Sequence, residues 1–203
     1  MKKTILSIFA LLSISTIATA QNSTSTNGEK PKVQFGIRAG FNQTIINNID
    51  DLVGKSGFHI GGVAEVRLAP RFALQGELVY TTMGGKLESI DLPFTTSYSG
   101  KVNMNYIAIP VMAKYFVTEG FNIQAGPQFS FAVKTEGEVN GKTGDIGSLV
   151  NKFDLGINAG LGYDFKNNLF IDTRVNFGLI DVFKDVPVNN KNFAFMIGLG
   201  YKF

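Results

Sequence analysis

The sequence predicts an all-β fold: an eight-stranded antiparallel up-and-down transmembrane β-barrel behind an N-terminal signal peptide. Three observations predict it. Eight stretches alternate apolar and polar residues with period two, which gives a strand two unlike faces. Their connections alternate between tight turns and long polar loops, the layout of outer-membrane barrels. Large aromatics gather near both ends of the apolar face, as girdles flanking a lipid-facing band do.

Composition agrees. A chain of 203 residues with 44% hydrophobic and 17% charged residues fits one barrel domain. The absence of Cys excludes disulfides, thiolate metal sites, cysteine nucleophiles and lipoprotein processing. The net charge of +3 is too small to imply a nucleic-acid partner, and Lys2 and Lys3 supply two of those charges. Those two lysines, the apolar run Ile5 to Ile17 and Ala18-Thr19-Ala20 read as a signal peptide over 1–20, cleaved after Ala20. Residues 21–32 read as a flexible lead-in and 33–203 as the barrel, a monomer of a Gram-negative cell outer membrane.

The predicted strands are 33–42, 57–68, 72–82, 101–116, 121–134, 152–165, 169–180 and 192–203. In the first, Val33, Phe35, Ile37, Ala39 and Phe41 share a face, with Gln34, Arg38 and Asn42 opposite. The sixth sets Phe153, Leu155, Ile157 and Leu161 against Asp154, Asn158 and Asp164. The seventh sets Leu169, Ile171 and Phe177 against Asp172, Arg174 and Asn176. The last runs Phe193, Phe195, Ile197, Leu199, Tyr201 and Phe203. Tight turns fall at 68–71, 117–120 and 166–168; the stretches 43–56, 83–100, 135–151 and 181–191 read as long loops.

Alternation alone leaves open whether the apolar face points in, as in a lipocalin-like cup, or out. Glycine decides for out. It collects on the polar face (Gly36, Gly40, Gly61, Gly160, Gly198, Gly200), where it suits a crowded narrow interior and would only weaken a water-exposed surface. The aromatic girdles agree: Phe35, Phe72, Tyr115 and Tyr201 lie toward the turns, and Phe41, Phe58, Tyr80, Phe131, Phe153 and Phe177 toward the loops. The terminal Phe203 resembles the C-terminal aromatic read by barrel-assembly machinery, an expected partner alongside outer-membrane lipids and lipopolysaccharide.

In the fourth strand Val102, Met104 and Tyr106 carry the apolar phase above, and Val111, Ala113 and Tyr115 carry it below. The phase slips by one residue, and Pro110 sits at the slip. Proline donates nothing to a ladder, so the pattern predicts a β-bulge over Ile107–Pro110 with both apolar sets facing out.

Two stretches resemble a known family. "YIAIPVMAKYF" (106–116) and "FDLGINAGLGYDFKNNLFIDTRVNFGLIDV" (153–182) are similar to corresponding strands of the PorT-like outer-membrane β-barrel family, known mostly as porin-family proteins. Ala108 stands where that family often has an acid, and Val175 where it often has Tyr. The resemblance implies an outer-membrane barrel and no particular activity.

The polar face places Arg38, Glu65, Arg67, Glu77, Lys114, Asp154, Asp172 and Arg174 in the lumen as an ion-paired network. Eight strands enclose room for side chains rather than a pore, so the expectation is a plugged lumen. The expected role is structural or surface-interacting through long extracellular loops; a narrow porin-like channel and a lipid-modifying enzyme are the alternatives. The enzyme reading rests on His59, the only histidine, with Ser56 as its nearest serine. His59 falls in the inward phase and Ser56 at the loop edge, so no catalytic residue, cofactor or metal is expected. The loop acids Asp50-Asp51 and Asp181…Asp185 read as solvated charge, and Gly160-Leu161-Gly162 lies in a strand, not a nucleotide-binding turn. The loop 83–100, with Leu87, Ile90, Leu92, Phe94 and Tyr98, is the expected place for an extracellular partner, if it is not simply a hairpin extension of strands three and four.

Overall fold

The computed structural model describes residues 32–47, 52–90, 98–139, 141–184 and 189–203. The expected signal peptide, the lead-in up to residue 31, Asp50, Asp51, Asp185, Leu92 and Phe94 lie outside the described residues.

Among the described residues nine strands form: β1 (Val33–Ile46), β2 (Leu52–Ala69), β3 (Phe72–Ile90), β4 (Tyr98–Phe116), β5 (Phe121–Val139), β6 (Lys142–Asp145), β7 (Phe153–Asp164), β8 (Leu169–Asp181) and β9 (Lys191–Lys202). Eight of them close an antiparallel ring in the order β1-β2-β3-β4-β5-β7-β8-β9, while β6 pairs only with the end of β5. The first and last strands complete the closure, from Gly36↔Lys202 to Ile46↔Asn192. No sheet edge is left within the ring, the arrangement a bilayer requires of β structure.

The faces follow the period-two reading. Phe35, Ile37 and Phe41 are exposed, whereas Arg38 and Asn42, in the alternate phase, are buried. The same inversion, apolar out and polar in, holds for Ile157 against Asn158 and Ile171 against Asp172. Outward aromatics pair in two tiers: Phe58–Tyr80, Phe131–Phe153 and Phe177–Phe193 toward the long connections, Tyr163–Phe165 and Tyr201–Phe203 toward the short turns.

The turns are closed by local bonds. Pro70 and Arg71 join β2 to β3, the Val117 amide donates to the Phe121 carbonyl at 2.9 Å, and the Phe165 amide donates to the Leu169 carbonyl at 2.8 Å. Asn168 in the last turn takes φ of 68°, which Asn tolerates better than most residues. Short turns belong to the periplasmic end and the longer connections to the outside.

Two expectations are corrected. First, most of 43–56, 83–100 and 135–151 is strand, not loop. Strands β2 to β5 run 18 or 19 residues, against the roughly 9–11 that a tilted strand needs to cross a membrane. The surplus continues as paired hairpins above the outer girdle, with Thr44↔Lys55 and Leu87↔Gly100 still in register. Second, there is no bulge over Ile107–Pro110. Pairing to β3 stays in register from Gly76↔Val111 to Leu87↔Gly100, and Pro110 pairs in step with Gln128. The slip lies in the partner: Asn105 faces Lys134 and Tyr106 faces Ala132, so Val133 of β5 is the extra residue. Met104, Tyr106, Ala108, Met112 and Lys114 therefore all point inward, each at most 2% exposed.

Candidate functional site

The interior is layered along the barrel axis. At mid-height lies a ring of two guanidinium groups and two carboxylates. Arg38 grips Asp172 with two nitrogens, Nη2 on Oδ1 and Nε on Oδ2. Arg174 Nη1 reaches Glu77 Oε1 at 2.7 Å and its Nε lies 3.1 Å from Asp172 Oδ1. Arg38 Nη1 to Glu77 Oε2, at 3.6 Å, closes the ring at ion-pair rather than hydrogen-bond distance. Gln75 Nε2 adds a hydrogen bond to Glu77 Oε1 at 2.7 Å. Two cations against two anions leave this layer neutral, the condition under which buried charge is tolerated. The glycines of β9 make the room: a Cβ on Gly198 would stand 2.8 Å from Arg38 Nε.

Toward the periplasm a second neutral layer holds two ammonium groups and two carboxylates. Lys114 and Lys202 both donate to Glu65 Oε2 at 2.7 Å, and both reach Asp164, at 3.2 and 2.6 Å. Phe116 and Phe170 pack inward beside them, with Lys202 Nζ 5.3 Å from the Phe170 ring centroid. Arg67 differs from its sequence expectation. It is exposed at the barrel mouth, where its guanidinium lies 3.9 Å over the Phe116 ring. It lines a vestibule of about 250 Å³ with Asp164 and Lys202.

Directly above the arginine layer the lumen is lined by uncharged side chains. Asn176, Asn158, Gln128 and Ser130 form a relay of side-chain hydrogen bonds at 3.0, 3.0 and 3.1 Å. Asp154 sits higher still, accepting from Asn192 Nδ2 at 2.9 Å. His59 is buried opposite Gly40, and neither ring nitrogen has a hydrogen-bond partner among the described residues. A void of about 10 Å³, the size of one water, borders it with Arg38, Thr81, Gln128 and Arg174. Ser56 Oγ donates to Gln43 Oε1 at 2.8 Å on the exposed side of the wall, so serine and histidine do not meet.

An apolar cap closes the outer end. Ile46, Met83, Met104, Tyr106, Val150 and Val182 form one buried cluster. Two connections are stitched over it: Val150 bridges Phe183, the Asn151 amide donates to the Val182 carbonyl at 2.8 Å, and the Lys184 amide to the Leu149 carbonyl at 2.9 Å. Sequence reasoning missed this cap because it equated apolar with lipid-facing. It also missed Lys202 and Asp164 as network members, although both fall in the inward phase of their strands. Outside the membrane band, burial and then the nearby ammonium groups of Lys101 and Lys86 push Lys55 below the usual lysine range. Its Nζ donates to the Met83 carbonyl at 3.1 Å. Among the described residues no three His, Cys, Asp or Glu side chains converge as a metal site would require.

A family model described as "Outer membrane protein beta-barrel domain" matches residues 19–184. Among solved structures, Neisserial surface protein A is similar with a TM-score of 0.58 at 15% identity, over 83% of this chain and 97% of that one. The attachment invasion locus protein Ail of Yersinia pestis is similar with a TM-score of 0.52 at 15% identity, over 84% of this chain and 98% of that one. At that identity the likeness carries the fold alone. No curated protein sequence matches the chain.

Proposed function

The chain belongs to the outer membrane protein β-barrel domain family, and from that premise we propose a closed-lumen surface protein that acts through its extracellular hairpins rather than by transport or catalysis. One observation carries the reading: between the vestibule and the apolar cap, side chains of the described residues fill the lumen. Two neutral ion-pair layers, an amide relay and an apolar cap follow one another along the axis. An ion crossing this path would have to separate buried pairs, and each buried charge left uncompensated costs about 3–5 kcal/mol. The same packing speaks against a lipid-modifying enzyme, since the only histidine faces inward and Ser56 is bonded to Gln43. Export through a leader cleaved after Ala20 belongs to this proposal.

Two experiments test it. The purified barrel in planar bilayers gives no single-channel conductance; stable, reproducible nanosiemens steps would overturn the closed lumen. Deleting 87–96 removes the end of β3 from Leu87, the partner of Gly100, to Ile90, together with the residues that follow it. The variant is expected to keep the heat-modifiable migration of a folded barrel in detergent gels and to lose cell-surface binding. If it instead runs only as unfolded chain, the segment is part of the scaffold and the hairpin is not the acting surface.

A further inference from the structure

Just above the outer girdle the barrel wall contains a cleft of about 390 Å³. It exists because β5 changes partner there. Below, β5 pairs with β7 up to Phe131↔Phe153; above, it pairs with β6 from Glu136↔Asp145. The intervening residues 132–135 lie opposite neither strand. Two backbone hydrogen bonds span the gap, from the Ala132 amide to the Lys152 carbonyl at 2.7 Å and from the Ile146 amide to the Thr135 carbonyl at 3.3 Å. The extra residue of the β5 bulge, Val133, is 58% exposed on the rim.

Height, charge and acceptors together define what fits. The Phe131 and Phe153 rings, 5.3 Å apart, belong to the girdle, which sits at headgroup level. The cleft therefore opens into the headgroup layer of the outer leaflet, with Val133 and Phe131 leading down to the acyl region. Lys134 and Lys152 line it. Lys152 is exposed and has no ion pair among the described residues, and the Lys134–Glu136 pair at 2.8 Å is exposed enough to exchange at little cost. Glu136 and Asp145 stand directly opposite each other, a like-charge pair that Lys134 offsets at Glu136. Asp145 already accepts from Thr135 Oγ1 at 3.2 Å and from the Gly147 amide at 2.8 Å, which fixes its carboxylate at the cleft wall. Lysines alone would suit a bare phosphate, and carboxylates alone would suit sugar hydroxyls.

We infer that this cleft holds the phosphorylated sugar headgroup of an outer-leaflet glycolipid, with Lys134 and Lys152 on the phosphate and Glu136 and Asp145 accepting from sugar hydroxyls. The inference needs only a barrel set in the outer membrane and stands apart from the surface role of the hairpin tips, so a barrel without surface binding would leave it intact.

Native mass spectrometry of the full chain with lipid A, dephosphorylated lipid A and inorganic phosphate tests it. Wild type retains phosphorylated lipid A. Lys134→Gln with Lys152→Gln loses affinity on the order of tenfold or more. Lys166→Gln, on an exposed periplasmic turn, binds like wild type. The single Lys152→Gln carries the same test with a smaller loss should the double variant fail to show the heat-modifiable band. Equal binding by the lysine variants, or equal binding of dephosphorylated lipid A, overturns the site. Displacement of the lipid by equimolar inorganic phosphate overturns the glycolipid as its source.

Discussion

Glu77→Gln is expected to destabilise the folded barrel by about 3–5 kcal/mol, the loss seen when one partner of a buried ion pair is removed. Glu77 is the carboxylate on which both mid-height arginines depend: Arg174 holds it at 2.7 Å and Arg38 lies at 3.6 Å. Its side chain is fully enclosed, so no water replaces the lost charge. Glutamine keeps the volume but leaves two guanidinium groups against Asp172 alone, and its amide nitrogen has to face a cation or displace Gln75. The chain has no Trp. A urea titration in lipid vesicles is therefore best read from the folded and unfolded bands on gels. Replacing Glu77 and Arg174 together by Met leaves the neutral Arg38–Asp172 pair and recovers part of the loss. A single-variant cost below about 1 kcal/mol would mean that solvent already reaches this layer, which would also weaken the closed-lumen reading.

The lipid-facing half of the fold is legible in the sequence because the bilayer imposes one rule along its whole thickness. Every second residue from Phe35 to Phe41 or from Phe193 to Phe203 must be apolar, so period two survives intact there. Two things are less legible, each for a physical reason. Above the girdle the rule lapses, since a hairpin in water has no lipid side to satisfy. The extended ends of β3 and β4 therefore read as loop. Inside, the period fixes which residues share a face but not what that face is made of. Met104 and Tyr106 read as lipid-facing because they are apolar, yet they face an interior whose outer end is apolar too. The apparent slip of phase then points to Pro110. The irregularity is in β5 at Val133, and a bulge in a neighbouring strand leaves no mark in the strand being read. Charges are the most legible part of the interior, because Arg38, Glu77, Asp172 and Arg174 have no tolerable place on a lipid-facing wall. Who pairs with whom depends on shear and register, which no single strand discloses.

The periplasmic layer supplies the second large effect and a test of depth. Glu65→Gln removes the carboxylate shared by Lys114 and Lys202, each 2.7 Å from the same oxygen. The two ammonium groups are then left with Asp164, whose side chain is 16% exposed beside the vestibule. That opening lets water solvate part of the unbalanced charge, and the Phe170 ring face offers a further weak acceptor. The expected cost is about 2–4 kcal/mol, large but below that of Glu77→Gln in the same titration. Adding Lys114→Met to Glu65→Gln leaves one lysine against one aspartate and is expected to return more than half of the loss. The order of the two single variants is the informative quantity. If Glu65→Gln costs more than Glu77→Gln, burial depth does not set the energetics of this lumen. The convergence of two lysines on one carboxylate oxygen would then outweigh it.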